Sequence, residues 1–268
     1  MPLLNDLSDP TDWIEPDAVP RPVVAYGIAT KSAAIELGFH RHAKAQLMLV
    51  QQGALSCEVE GGLWVVPPRS AIWIPGGAAH AIKAAGALEG YDAFVDPGLA
   101  AGLPARCCAI AVTPLLRELM ARAASLPLLY EEGGANGRLL AVLLDELAVA
   151  PVERLHLPMP ADPRLRGLLE RMMARPADRA SLAAWAKRAG MSERTLERRI
   201  GRETGMSLGR WRQQLCVVRA VQWLAGGASI QQVAADLGYE SVPSFVTMFR
   251  KALGTSPARY MAERHSGR

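Results

Sequence analysis

The sequence predicts an α+β protein of two domains: a small antiparallel β-barrel followed by helices, then an all-α domain built on two helix-turn-helix motifs. Three observations predict it. Short apolar runs punctuated by Gly and Pro fill residues 23–95. Helical periodicity with Ser caps and Gly stops governs the chain from residue 163 onward. The charge divides between the two halves. Residues 1–155 carry 11 Lys and Arg against 17 Asp and Glu, a net of −6, whereas residues 156–268 carry 19 against 9, a net of +10. A basic half joined to an acidic half points to a polyanionic partner for the basic half alone.

The 268 residues are enough for two cores, and an apolar fraction of one half is too high for a disordered chain. The four cysteines, Cys57, Cys107, Cys108 and Cys216, form neither a zinc knuckle nor a CxxC pair, which fits a reducing cytoplasm. No basic-then-apolar leader opens the chain, and no charge-free apolar run reaches the length of a membrane span.

Residues 1–22, with Pro2, Pro10, Pro16, Pro20 and Pro22, read as an irregular arm. Strands are predicted at Val23–Thr30, Ala33–His42, Gln46–Gln51, Ala54–Glu60, Leu63–Val66, Ala71–Ile74, His80–Lys83 and Glu89–Val95. Gly61-Gly62 between two of them is a tight-hairpin signal. Helices are predicted over Thr113–Leu126 and Ala135–Ala148. The second is more apolar than one packing face needs. Pro151, Pro158, Pro160 and Pro163 mark a linker, residues 151–162, between a domain at 23–150 and one at 163–268. Asp162-Pro163 caps and starts a helix running to Arg175.

Two tandem motifs follow. Leu182, Trp185 and Ala186 form an apolar stripe, Gly190 stops the helix, Ser192 caps the next, and Leu196 and Ile200 face inward. Ile230, Val233, Ala234 and Leu237, then Gly238, then Ser241, then Phe245, Met248 and Phe249 repeat the scheme. Between them Ser207–Leu224 reads as one helix of about 27 Å. That approaches the ~34 Å turn of duplex DNA, so one helix suits two reading heads in successive major grooves. The outward residues of the first head are Glu193, Arg194, Thr195, Glu197 and Arg198. The second head, Ser241 to Lys251, presents Val242, Pro243, Ser244, Thr247 and Arg250.

The tandem arrangement, with Ala186, Gly190, Leu196, Arg219, Ala220, Val233, Gly238, Phe245 and the closing Gly254-x-Ser256-Pro257-x-x-Tyr260, resembles the DNA-binding domain of AraC/XylS-type transcription regulators. The resemblance covers about the last hundred residues. It implies that Arg194, Glu197 and Arg198 read bases, while Arg199 and Arg202 hold phosphates. It also implies promoter DNA and RNA polymerase as partners, a bacterial cytoplasm, and a homodimer joined through a helix after the barrel.

His40-Arg-His42 puts two imidazoles on one strand face. Gln46, Gly53 and Pro75-Gly-Gly-Ala-Ala-His80 complete a pattern similar to the two-part cupin signature. That resemblance implies His40, His42, Gln46 and His80 as ligands for a divalent transition metal: Zn, Ni, Fe, Co or Mn. Departures are Gln46 for the usual Glu, and Ala34 and Arg69 at signature glycines. Hydrogen-bonding histidines in an organic-effector pocket are the other reading. Trp64, Trp73, Phe39 and Met48 are its candidate lining, and Arg41, Lys44 or Arg69 its anion contacts. The expectation is an effector-gated transcription activator or repressor. The alternative is a metal-dependent cupin enzyme fused to a DNA-binding domain, using Glu36, Glu58 or Glu60. A third reading is a constitutive DNA binder.

Overall fold

The computed structural model describes residues 3–4, 15–30, 34–59, 61–85, 87–153 and 155–265. Glu60 and most of the 1–22 arm lie outside them. The chain divides into two units. One is residues 1–60 with 64–154, and the other is residues 61–63 with 155–268.

The first unit is antiparallel β-structure followed by helices. Its first sheet orders β1 (Leu3–Leu4), β2 (Val23–Thr30), β9 (Leu88–Val95), β4 (Ala45–Gln52), β7 (Ser70–Ile74), β10 (Cys108–Ala111) and β11 (Val152–Glu153) side by side. Only the β1–β2 pairing is parallel among the registers described. A second sheet orders β6 (Gly62–Val66), β5 (Leu55–Val59), β8 (His80–Ala85) and β3 (Ala34–His40).

Strand β4 shows why both sheets are needed. Six of its eight residues are buried, so neither face meets water. Leu47 and Leu49 point to one side, where they join Val23, Ala25, Trp73, Ala93 and Val95. That face is covered by α1 (Pro114–Ala124), through Leu116 and Met120, and by α2 (Ala135–Val149), through Leu140, Leu143 and Leu147. By alternation Gln46 and Met48 point to the other side, as do Asp92 and Phe94 of β9. All four are buried. The interior face of this unit is therefore apolar apart from a few polar groups.

Two sequence expectations change here. The arm contains a two-residue strand and, at Pro16–Ala18, a 3-10 turn capped by Glu15. Residues 151–162 are not plain linker: they hold β11 and, in the second unit, β12 (His156–Pro158). The strand register also missed β10. Its four residues, Cys-Ala-Ile-Ala, carry no turn signal to set them apart.

The second unit is helical: α3 (Pro163–Ala174), α4 (Leu182–Arg188), α5 (Glu193–Thr204), α6 (Leu208–Ala225), α7 (Ile230–Asp236), α8 (Val242–Leu253) and α9 (Pro257–His265). Nine buried residues of α6, Trp211, Val218 and Val221 among them, make that helix its spine. Trp211 Nε1–H donates to the Pro158 carbonyl (2.7 Å), which ties β12 to α6.

Candidate DNA-reading helices and a three-histidine centre

The first reading head is built by caps and stops. Ser181 Oγ accepts the Ala184 N–H and starts α4. Trp185 and Ala186 are buried, and Gly190 takes the left-handed φ of 64° that turns the chain. Ser192 Oγ then accepts the Thr195 N–H at 3.2 Å and starts α5. Burial of Leu196 and Ile200 fixes the rotation of α5, which leaves Glu193, Arg194, Arg198 and Arg202 exposed.

Two predicted DNA contacts have partners within the protein. Arg199 forms an ion pair with Asp162, the N-cap of α3. Glu197 Oε2 accepts the Leu208 N–H (3.4 Å) at the start of α6. Both partners lie outside α5, so helical periodicity alone could not reveal them. The Thr195 hydroxyl accepts the Ser192 hydroxyl at 2.9 Å.

The second head repeats the construction. Ser229 caps α7, Val233, Ala234 and Leu237 are buried, and Gly238 turns the chain with φ 73°. A Cβ at Gly238 would also press on Ala177 at 3.0 Å. Ser241 Oγ accepts the Ser244 N–H (3.4 Å). Phe245 and Phe249 are fully buried in an aromatic chain running from Tyr239 to Tyr260, with centroid spacings of 5.5–5.9 Å. Pro243, Ser244, Thr247, Arg250 and Lys251 remain exposed, and Val242 is half-buried. Arg179 braces this head. It donates to the Leu237 and Gly238 carbonyls and lies 4.7 Å over the Tyr239 ring.

The first unit brings three imidazoles together. His40 ends β3 and is the register partner of His80 on β8. His42 follows in a loop held from two sides: its carbonyl accepts the Gly77 N–H (2.8 Å), and Asp17 accepts the Ala43 and Lys44 N–H groups. Lys44 is itself buried, donating to the carbonyls of Pro16 and Val19, so it is not an anion contact. One ligating atom from each histidine lies within 4.8 Å of the others.

Protonation follows from the partners. Each Nδ1–H donates to a backbone carbonyl: His40 to Gly38 (2.8 Å), His42 to Lys44 (2.5 Å) and His80 to Ala78 (2.9 Å). That leaves each neutral ring's lone pair on Nε2. His80 Nε2 is buried with no hydrogen-bond partner among the described residues. Burial also pushes the His80 pKa down to about 4.

Gln46 completes the group. Its Oε1 sits 3.3 Å from His42 Nε2, and its amide NH2 donates to both carboxylate oxygens of Asp92 at 3.1 Å. An amide oxygen and a neutral imidazole nitrogen are both acceptors, so a proton or a cation between them would favour this approach. Asp92 is 1% exposed, and burial raises its pKa to about 7. Sequence reasoning missed Asp92, one of two acids in the strand Leu88–Val95; Glu89 is exposed and Asp92 is buried, a difference the sequence alone does not give.

The organic-pocket candidates disperse. Trp73 belongs to the helix-covered face, with Nε1–H donating to the Pro104 carbonyl, and Phe39 is 62% exposed. Met48 lies on the inner face, Trp64 is buried, and Arg41 is exposed. Arg69 occupies the turn between β6 and β7 with φ 61°.

Comparison with known proteins bears on both units. Residues 185–263 match a family described as a helix-turn-helix domain. The chain is 40% identical over 248 residues to the HTH-type transcriptional regulator NimR of Escherichia coli K12, covering 92% of this chain and 90% of that one. This chain belongs to the AraC-type helix-turn-helix transcription regulators. The regulator is also 35% identical to RipA of Corynebacterium glutamicum over 105 residues, 38% of this chain and 31% of that one. An AraC-type DNA-binding protein structure from Chromobacterium violaceum is 27% identical, covers 40% of this chain and 97% of that one, and aligns with a TM-score of 0.37. The regulator is a DNA-binding protein and not an enzyme. Glu36, one candidate acid for catalysis, is paired with Lys83 at 2.9 Å. No helix among the described residues is long and apolar enough to cross a membrane.

Proposed function

We propose that this regulator reads promoter DNA with α5 and α8 and that its N-terminal unit is a cupin-like sensor holding a divalent transition metal on His40, His42, His80 and Gln46. One observation carries the sensor reading: one ligating nitrogen from each of three histidines lies within 4.8 Å of the others, an amide oxygen lies 3.3 Å from His42 Nε2, and His80 Nε2 is buried without a hydrogen-bond partner among the described residues. Three imidazoles and one neutral oxygen suit Zn, Ni, Co or Fe(II) better than harder ions. Bound metal supplies Lewis acidity and charge. The residues that would hold it lie on β3, the His42 loop, β4 and β8.

Gating follows from that placement. Asp17 accepts the Ala43 and Lys44 N–H groups, and the carbonyls of Pro16 and Val19 accept the Lys44 ammonium, one to two residues from His42, so occupancy is felt by the arm. A coupling to promoter binding, or to RNA polymerase contact, of about 1–3 kcal/mol is the usual scale. Homodimerisation is assigned to α2, whose Val142 and Val149 are 44% and 76% exposed.

The test is metal content of untagged protein beside a His40→Ala/His80→Ala variant, with promoter affinity measured before and after chelation. Stoichiometric metal lost in the variant, and an affinity that changes on chelation, support the sensor. No metal after loading with Zn, Ni, Co and Mn rejects it. Metal without any change in affinity leaves a constitutive DNA binder with a structural ion.

A further inference from the structure

In this family-like ligand set a glutamine stands where a carboxylate is usual, yet the negative charge has not left the neighbourhood. Asp92 lies directly behind Gln46 on the adjacent strand, and both of its described hydrogen bonds go to the one Gln46 amide nitrogen. A carboxylate 1% exposed, with its described side-chain hydrogen bonds going only to a neutral amide and the buried Tyr26 as its cross-strand neighbour, is costly unless positive charge faces it. No Lys or Arg among the described hydrogen bonds and ion pairs meets it. Gln46 Oε1, on the far side of the same amide, lies 3.3 Å from His42 Nε2 instead.

The geometry points to Asp92 as a positioning residue. We propose that it locks the Gln46 amide so that Oε1 faces the metal, and supplies from behind Gln46 the charge that a ligand carboxylate otherwise carries. This rests on the metal reading above and deepens it. When ionised, as a cation at the histidines would favour, this carboxylate can only accept, so it selects one of the two amide orientations: NH2 toward Asp92, oxygen toward the histidines. The donors touching the ion are then all neutral. Neutral nitrogen-rich sets favour Co, Ni or Zn over Mn(II), which prefers carboxylates. The arrangement also explains why Gln46 is not Glu. Two buried carboxylates side by side cannot both ionise, and one would hold a proton.

The experiment compares full-length wild type, Asp92→Asn, Gln46→Glu and the double variant Gln46→Glu/Asp92→Asn. Co(II) and Mn(II) affinities are measured by chelator competition, with Co(II) ligand-field absorption reporting coordination and circular dichroism reporting folding. Asp92→Asn is expected to weaken Co(II) about 10–100-fold, the usual cost of losing an outer partner. Gln46→Glu alone is expected to give no gain. The double variant moves the charge into the ligand set, so tight binding returns and the Co(II)/Mn(II) preference shifts toward Mn(II).

Co(II) binding by Asp92→Asn at wild-type strength overturns the inference, as does a double variant that regains nothing. Should Asp92→Asn fail to fold, a Gln46→Glu single variant that binds Co(II) more tightly than wild type overturns it by itself. Wild type that binds neither metal overturns the metal reading and this inference with it. Wild type that binds while Asp92→Asn is unchanged overturns this inference only.

Discussion

Arg199, on the first reading helix, is ion-paired with Asp162, the residue that caps α3. Asp162 also donates its backbone N–H to Glu203 of α5 (3.0 Å). The entry to the DNA-binding unit is thus fastened to the helix that reads DNA, and an arginine that looks like a phosphate contact serves that fastening.

The first prediction separates the two roles. Arg202 is exposed and Arg199 is paired. Each phosphate contact contributes about 0.9 to the slope of log affinity against log salt. Arg202→Ala is expected to reduce that slope by about this amount. Arg199→Ala is expected to lower the thermal midpoint and leave the slope in place. Fluorescence anisotropy over a salt series decides; a slope that falls equally in both variants refutes the assignment.

The pH dependence has a definite sign. The Leu165 and Arg164 N–H groups, with the Arg199 charge, hold Asp162 below the usual carboxylate value. Asp178 is lowered by Arg188 and the Ala180 N–H. A depressed folded pKa gives stability that is present above the unfolded value, about 3.9, and disappears as pH falls through the folded one. The thermal midpoint gap between wild type and Asp162→Asn is therefore expected to stay constant from neutral pH down to about 5 and to close in stronger acid. Asn retains the cap oxygen, so the gap reports charge. A gap that stays open at the acid limit rules this out.

Sequence selectivity should sit mainly in the first head. Arg198 is exposed on α5, whereas α8 offers Ser244 and Thr247 with cations only at Arg250 and Lys251. A bidentate arginine–guanine contact is worth about 1–3 kcal/mol of discrimination. Arg198→Ala is expected to lose that preference in competition against non-specific DNA, and Thr247→Ala to lose less. Equal losses overturn the ranking.

Arg69 keeps the backbone of a glycine without being one. Its φ of 61° lies in the left-handed region, at a position where the cupin pattern has Gly. Replacing it removes strain of about 1 kcal/mol. Arg69→Gly is expected to raise the unfolding midpoint in denaturant. A lower midpoint means that the arginine side chain contributes more than its backbone costs.

The elements carried by local rules were legible in the sequence. Ser192, Ser241, Gly190 and Gly238 are punctuation that acts within a few residues, so both reading heads could be placed from spacing alone. His40 and His80 were equally visible as candidates, and they meet as strand partners; His42 lies in the loop beyond β3, so the strand period that pointed to it does not set its face. What escaped was the identity of partners far along the chain. Nothing near Arg199 announces Asp162, and nothing near Gln46 announces Asp92, 46 residues away. Such pairings arise when strands or helices pack, and single-chain periodicity carries no record of them.

Helix α6 has 18 residues, and its buried positions are shared between packing against α5, α7 and α8. Adding one residue to an α-helix advances it by about 1.5 Å and turns everything beyond by about 100°. An insertion there would rotate one head by about 100° relative to the other and bury the wrong side of the helix. Regulators built on this spine are therefore free to change which bases they favour by exchanging surface side chains. They are not free to change how far apart those bases lie, so divergence of their operators should proceed by letters and not by spacing.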